Sequence, residues 1–166
     1  MARCGSNHLS RHKRKMYPLS TPPHTGDHPI PEQSPLTAGF HHIGLAVRDL
    51  DQSSRFFREC LGWRIAGEKP DYPAIFVTDG HSLVTLWQVE APDCCVTFNR
   101  RQNVGLHHLA LKVADRATFD ALYARVAAWP GITVEFAPEP LGTGPVTHCM
   151  IYEPSGIRIE FDYDPR

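Results

Sequence analysis

The chain has 166 residues, of which 42% are hydrophobic and 21% charged, with a formal net charge of −1. That composition supports one globular domain with its own core, and no run of about 18 apolar residues offers a membrane-spanning helix. The even charge balance argues against nucleic acid or an anionic membrane surface as the main partner. The five cysteines, Cys4, Cys60, Cys94, Cys95 and Cys149, are odd in number and lack CxxC spacing. They fit a reducing, cytoplasmic compartment and provide neither a disulfide framework nor a cysteine zinc site.

Residues 1–38 are basic at the start and carry six prolines between Pro18 and Pro35. They contain little that can form a core and read as a disordered arm. The domain is expected over 39–164. Residues 41–47 read as a strand, with Ile43, Leu45 and Val47 on one face and His42, Gly44 and Ala46 on the other. Asp49 or Asp51 can cap a helix over about 51–61, whose apolar residues Phe56, Phe57, Cys60 and Leu61 precede Gly62. Strands follow at 63–66, 74–78 and 82–89, which completes a first β-α-β-β-β module over 40–90. Residues 91–105 read as a linker.

The second module, 106–163, repeats the order. A strand at 107–113 leads to Asp115, a cap for a helix of about 116–128. Phe119, Leu122, Tyr123 and Val126 form its apolar stripe, and Trp129-Pro130-Gly131 ends it. Strands are expected at 132–136, 146–152 and 157–161, with "EPSG" at 153–156 as the turn between the last two. The opening phrases of the two modules are nearly the same. "HHIGLAVRD" at 41–49 and "HHLALKVAD" at 107–115 lie 66 residues apart. Two such units describe a pseudo-symmetric α+β domain rather than a solenoid.

Strand parity selects three side chains. If the aliphatic residues pack under the helices, His42, His108 and Glu160 all point to the opposite face. His41 and His107 fall on the other side and read as strand-start or surface histidines. Two imidazoles and a carboxylate converging on one face make a divalent-metal site, of the kind used by non-haem Fe(II) enzymes and also suited to Zn, Ni, Co or Mn.

The segments "HHIGLAVRDLDQSSRFFRECLGW", "GLHHLALKVAD" and "EPSGIRIEF" resemble the vicinal oxygen chelate superfamily. That group includes glyoxalase I, bleomycin-resistance proteins, fosfomycin-resistance enzymes, methylmalonyl-CoA epimerase and extradiol dioxygenases. The resemblance implies paired βαβββ modules whose curved sheets form a cleft around one divalent metal. It also implies metal ligands at His42, position 85, His108 and Glu160. Position 85 departs from the pattern. It is Thr85, where glyoxalases and epimerases have Glu or Gln, and a hydroxyl is a poor divalent-metal ligand.

Three protein ligands leave coordination positions for a chelating substrate or dioxygen. The His-His-Glu set therefore favours a dioxygenase-type site with Fe2+, while Zn2+, Ni2+, Co2+ and Mn2+ are alternatives. A glyoxalase-like lyase or isomerase remains the second reading, and a metal-free small-molecule binding protein the third. No branch of the superfamily is matched in full. Met150 stands where a tyrosine is usual ten residues before the final glutamate, and Leu141 where the extradiol enzymes carry a histidine. His148 shares strand parity with Met150 and is a candidate proton carrier beside Glu160; a strand histidine bonded to a neighbour is the plainer alternative. Thr85, Trp87, Phe76 and Met150 are candidate walls of the substrate pocket. The expected partners are a small-molecule substrate and a second copy of the chain in a homodimer.

Overall fold

A computed structural model describes residues 35–166. The arm read over 1–38 therefore lies almost wholly outside the described residues. All described strands and helices fall within one compact unit, Phe40–Arg166. The first module consists of β1 (Ile43–Val47), α1 (Leu50–Arg55), β2 (Arg64–Lys69), β3 (Ala74–Thr78) and β4 (Leu83–Gln88). The second consists of β5 (Leu109–Val113), α2 (Arg116–Ala127), β6 (Thr133–Pro140), β7 (Thr147–Tyr152) and β8 (Arg158–Tyr163).

Each module folds its strands into one four-stranded mixed sheet. The orders are β1-β4-β3-β2 and β5-β8-β7-β6, so the two sheets have the same topology. In each, the first strand runs parallel to the last, because the helix carries the chain back across the sheet. Both helices start on an aspartate cap. Asp49 accepts from the Gln52 amide at 2.9 Å, and Asp115 from the Thr118 amide at 2.8 Å.

One face of each sheet holds the core. Leu45, Val47, Val84 and Leu86 are buried in the first module, as are Leu109, Val113, Ile159 and Phe161 in the second. Gly44, Ala46 and Ala110 on the opposite face are exposed. The alternation expected of β1 and β5 is therefore present, although both strands begin two residues later than expected.

Two elements differ more. The first helix widens after Arg55 into a π-helical turn, Phe56–Cys60, in which the Leu61 amide donates to the Phe56 carbonyl at 3.1 Å. The wider turn puts the adjacent Phe56 and Phe57 both fully into the core. Strand β6 runs four residues past Phe136, through two register shifts against β7. It is an edge strand, where Pro138 and Pro140 interrupt no ladder on the open side.

The modules also touch through side chains. The Ser53 hydroxyl in α1 donates to Glu153 in the β7–β8 turn at 2.7 Å, and the Arg48 and Asp49 amides donate to the Ser155 hydroxyl. Glu153 is only 1% exposed. Its carboxylate also accepts from the Ser155 and Ile157 amides at 2.8 and 3.1 Å, which closes the turn. Gly156, at φ +88°, gives that turn the left-handed residue it requires.

Candidate metal and proton-transfer site

The turn leads directly into β8. Ile159 and Phe161 fill the core, so parity places Arg158, Glu160 and Asp162 on the other face. On the same face of β7, Met150 pairs with Glu160 and His148 pairs with Asp162. Ala110 of β5 pairs with Glu160 from the other side, and its lack of bulk leaves the carboxylate open to His108.

Glu160 offers one oxygen to each of two imidazoles. Oε2 lies 3.0 Å from His108 Nε2, and Oε1 lies 2.5 Å from His148 Nδ1. Glu160 and His148 are both buried. The His148 ring packs on Phe136 with centroids 4.9 Å apart, and its Nε2 lies 3.9 Å from the nearest Glu139 oxygen, beyond hydrogen-bond reach. The Asp162 Oδ1 atom is buried without a hydrogen-bond partner. Burial, reinforced by the charge of Glu160, pushes the Asp162 carboxyl above its ordinary pKa.

The ligating atoms of His148, Glu160 and Asp162 lie within 4.8 Å of one another. Glu160, with the His108 imidazole beside one oxygen and the orphaned Asp162 oxygen nearby, offers donors of the kind a divalent cation takes, while His148 is held on the other oxygen. Asp162 was not among the residues singled out from the sequence. Its parity with Glu160, two positions on, is the signal that could have found it.

The other candidates lie on the first sheet. Thr85 is buried, and Gly44 lies opposite it in the ladder. Its hydroxyl accepts from Trp87 Nε1 at 2.9 Å and donates to the Ile43 carbonyl at 3.5 Å. Trp87 stacks at a tilt with Phe76 and Tyr72, at centroid distances of 5.7 and 5.2 Å. Thr85, Trp87 and Phe76 thus form one cluster, and Met150 belongs to the other sheet beside Glu160. His42 is exposed, with its Nδ1 2.9 Å from that of His41, and lies outside the His148–Glu160–Asp162 group. His107 and His108 repeat that ring pairing at 2.7 Å.

Two sheets of this shared topology, each with one face on the core, define a paired βαβββ protein. The sequence profile of the Glyoxalase/Bleomycin resistance protein/Dioxygenase superfamily matches residues 39–161, and the chain belongs to that superfamily. A 2-epi-5-epi-valiolone epimerase from Actinomyces sp. is 30% identical over 148 residues, covering 76% of this chain and 79% of the epimerase.

Among solved structures, a glyoxylase/bleomycin resistance protein/dioxygenase domain from Frankia sp. EAN1pec aligns with a TM-score of 0.66. It has 24% identity and covers 76% of this chain and 98% of its own. A fosfomycin resistance protein from Listeria monocytogenes aligns with a TM-score of 0.61 at 16% identity, covering 78% and 95%. A lactoylglutathione lyase from Agrobacterium tumefaciens aligns with a TM-score of 0.58 at 21% identity, covering 78% and 96%. These likenesses establish the fold. Among the described residues, no helix is long and apolar enough to cross a membrane.

Proposed function

We propose that the protein is a divalent-metal-dependent epimerase or isomerase, which moves a proton on a small substrate chelated through vicinal oxygens. The observation that carries this reading is the Glu160 carboxylate, with one oxygen beside His108 and the other bonded to His148. The epimerase relative at 30% identity weighs the balance toward proton transfer and away from the oxygenase reading.

His42, His108 and Glu160 are the proposed ligands, with Fe2+, Zn2+, Ni2+, Co2+ or Mn2+ as the candidate ions. When bound there, the cation would polarise a substrate carbonyl and acidify the neighbouring C–H. The protein's own residues handle the proton. With Nδ1 protonated and held by Glu160, the His148 ring is fixed in one tautomer, and its Nε2 keeps a lone pair free to accept a proton from carbon. Phe136 holds the ring in place, and the Trp87–Phe76 cluster supplies an apolar wall. His42 belongs to the first sheet and Glu160 to the second, so a site that uses both needs the sheets to face each other. A homodimer is the assembly we propose for this.

One observation favours an oxygenase as the second reading. The Thr85 hydroxyl is already engaged by Trp87, which leaves coordination positions open for dioxygen. Incubation with 2-epi-5-epi-valiolone in D2O tests both. Wash-in of one solvent deuteron, lost about 10²–10⁴-fold in His148→Ala with metal content unchanged, is expected for a general base. Oxygen consumption without deuterium exchange would refute the epimerase reading.

A further inference from the structure

A cavity of about 680 Å3 opens along the edge of β1, walled by β1, by segment 95–107 and by the β7–β8 turn. Its size is that of a small-molecule site. Arg48, Arg100 and Arg158 line it, and among the described residues no aspartate or glutamate does. Arg100 donates to Glu135 at 2.9 Å and to the Tyr152 hydroxyl at 2.9 Å, while Arg158 donates to the other Glu135 oxygen at 2.5 Å. The Arg158 hydrogen bond holds the Glu135 carboxyl below its ordinary pKa, so it is ionised and serves both guanidiniums. Among the described residues, the Arg48 guanidinium donates to Cys95 Sγ at 3.2 Å and Thr97 Oγ1 at 3.1 Å and to no carboxylate. Among the described residues, the three guanidiniums thus have one carboxylate between them, Glu135. Apolar side chains form another part of the wall. Val96, Phe98, Val104 and Leu106 line the cavity and are exposed. The Phe98 ring packs over Gly105, where a Cβ would lie 2.7 Å from it and push the ring aside.

Excess guanidinium charge beside apolar side chains is the chemistry of an organic anion site. Arginine forks match carboxylate and phosphate groups, and a cationic cleft draws them in. The cavity is also placed relative to the metal site. Arg158 and Glu160 share one strand face two residues apart, about 7 Å by strand rise. His107, in the cavity wall, adjoins His108.

We propose that this cavity binds the anionic tail, a carboxylate or phosphate ester, of a substrate whose vicinal oxygens reach the Glu160–His108 end. The tail site stands on the arginines alone, while its use by a substrate rests on the metal-site reading above.

Calorimetry separates the two. In the first arm, chelator-treated protein is titrated with glutarate, which has no vicinal oxygens. Binding is expected to weaken about tenfold in the exposed variant Arg48→Gln and in Arg158→Gln, the loss of a charge-assisted hydrogen bond. Circular dichroism checks that both variants fold. In the second arm, Mn2+-loaded protein is titrated with 2-oxoglutarate and with 2-oxopentanoate, which has the same chelating head and an uncharged tail. The wild type is expected to prefer 2-oxoglutarate by about tenfold, and Arg158→Gln to lose that preference. Failure of glutarate to bind, or equal binding by the wild type and a folded Arg48→Gln variant, overturns the anion site. Bound Mn2+ with no preference between the two oxo acids overturns its role as a tail pocket. Failure to bind Mn2+ at all sinks the metalloenzyme reading and leaves the glutarate result to decide the cavity.

Discussion

Glu153 is the residue whose replacement the structure prices best. Its carboxylate is buried and accepts three hydrogen bonds, from the Ser53 hydroxyl and from the Ser155 and Ile157 amides. Glu153→Ala strands the Ser155 and Ile157 amides, while the Ser53 hydroxyl can turn to the Ser155 hydroxyl 2.8 Å away. At roughly 1–3 kcal/mol for each buried group left unpaired, less the recovered cost of burying the carboxylate, the loss is expected at about 2–4 kcal/mol. That is a large share of the ~5–15 kcal/mol available to a domain of this size. Glu153→Gln keeps an oxygen for the two amides and presents its NH2 to the Ser53 oxygen, so it should cost under about 1.5 kcal/mol.

Burial pushes the Glu153 carboxyl above its ordinary pKa. Its stabilising contribution is therefore fully present below the unfolded-state value, about 4.3, and is lost as pH rises through the folded value. Measured against Glu153→Gln, the wild type should thus lose ground as pH is raised from about 4 toward neutrality. Urea unfolding of the three proteins across that range measures both effects. A glutamine variant as unstable as the alanine variant, or a gap that widens in favour of wild type as pH rises, would refute the reasoning.

Further outcomes follow from the site. His42→Ala, His108→Ala and Glu160→Ala should each remove most bound divalent metal, whereas His41→Ala and His107→Ala should not; metal analysis after dialysis decides, and equal loss from His41→Ala and His42→Ala would undo the parity assignment. Thr85→Glu should tighten metal binding by adding a charged oxygen, as read by competition with a chromogenic chelator; unchanged affinity in folded protein would keep Thr85 out of the coordination sphere. Light scattering after size exclusion should give the mass of a dimer at micromolar concentration. Mixed His42→Ala and Glu160→Ala proteins should partly recover metal binding if the two ligands of one site come from different chains, and stay empty if they come from one.

The sequence was most legible where one sheet face meets the core. β1 and β5 show the alternation because Leu45, Val47, Leu109 and Val113 are buried while Gly44, Ala46 and Ala110 are exposed. The same reasoning selected Glu160 and His148, which share the polar face of β8 and β7. It stopped at Glu160, although Asp162 continues that face. The π-turn at Phe56–Cys60 had no such signal, since Phe56, Phe57, Cys60 and Leu61 fit the spacing of an ordinary helix as well. The extension of β6 was hidden by Pro138, which reads as a stop unless the strand is known to lie at an edge. Glu153 read only as the first residue of the "EPSG" turn, and the tertiary contact from Ser53 reveals a buried acceptor. The arginine cavity was illegible for a related reason: Arg48, Arg100 and Arg158 come from three separate segments.

The two sheets share a topology but have diverged in content. Matched by ladder position, Thr85 of the first corresponds to Glu160 of the second, Trp87 to Asp162, Ala74 to His148 and Leu83 to Arg158. Every ionisable group on this face of β7 and β8 has an uncharged counterpart in β3 and β4. The doubled scaffold thus leaves β3 and β4 without the ionisable groups that β7 and β8 carry on this face. Substitutions on β3 and β4 can change the shape of that face while the ionisable groups of β7 and β8 are kept, so in laboratory evolution new ligand preferences should arise first at positions such as Ala74, Phe76 and Trp87.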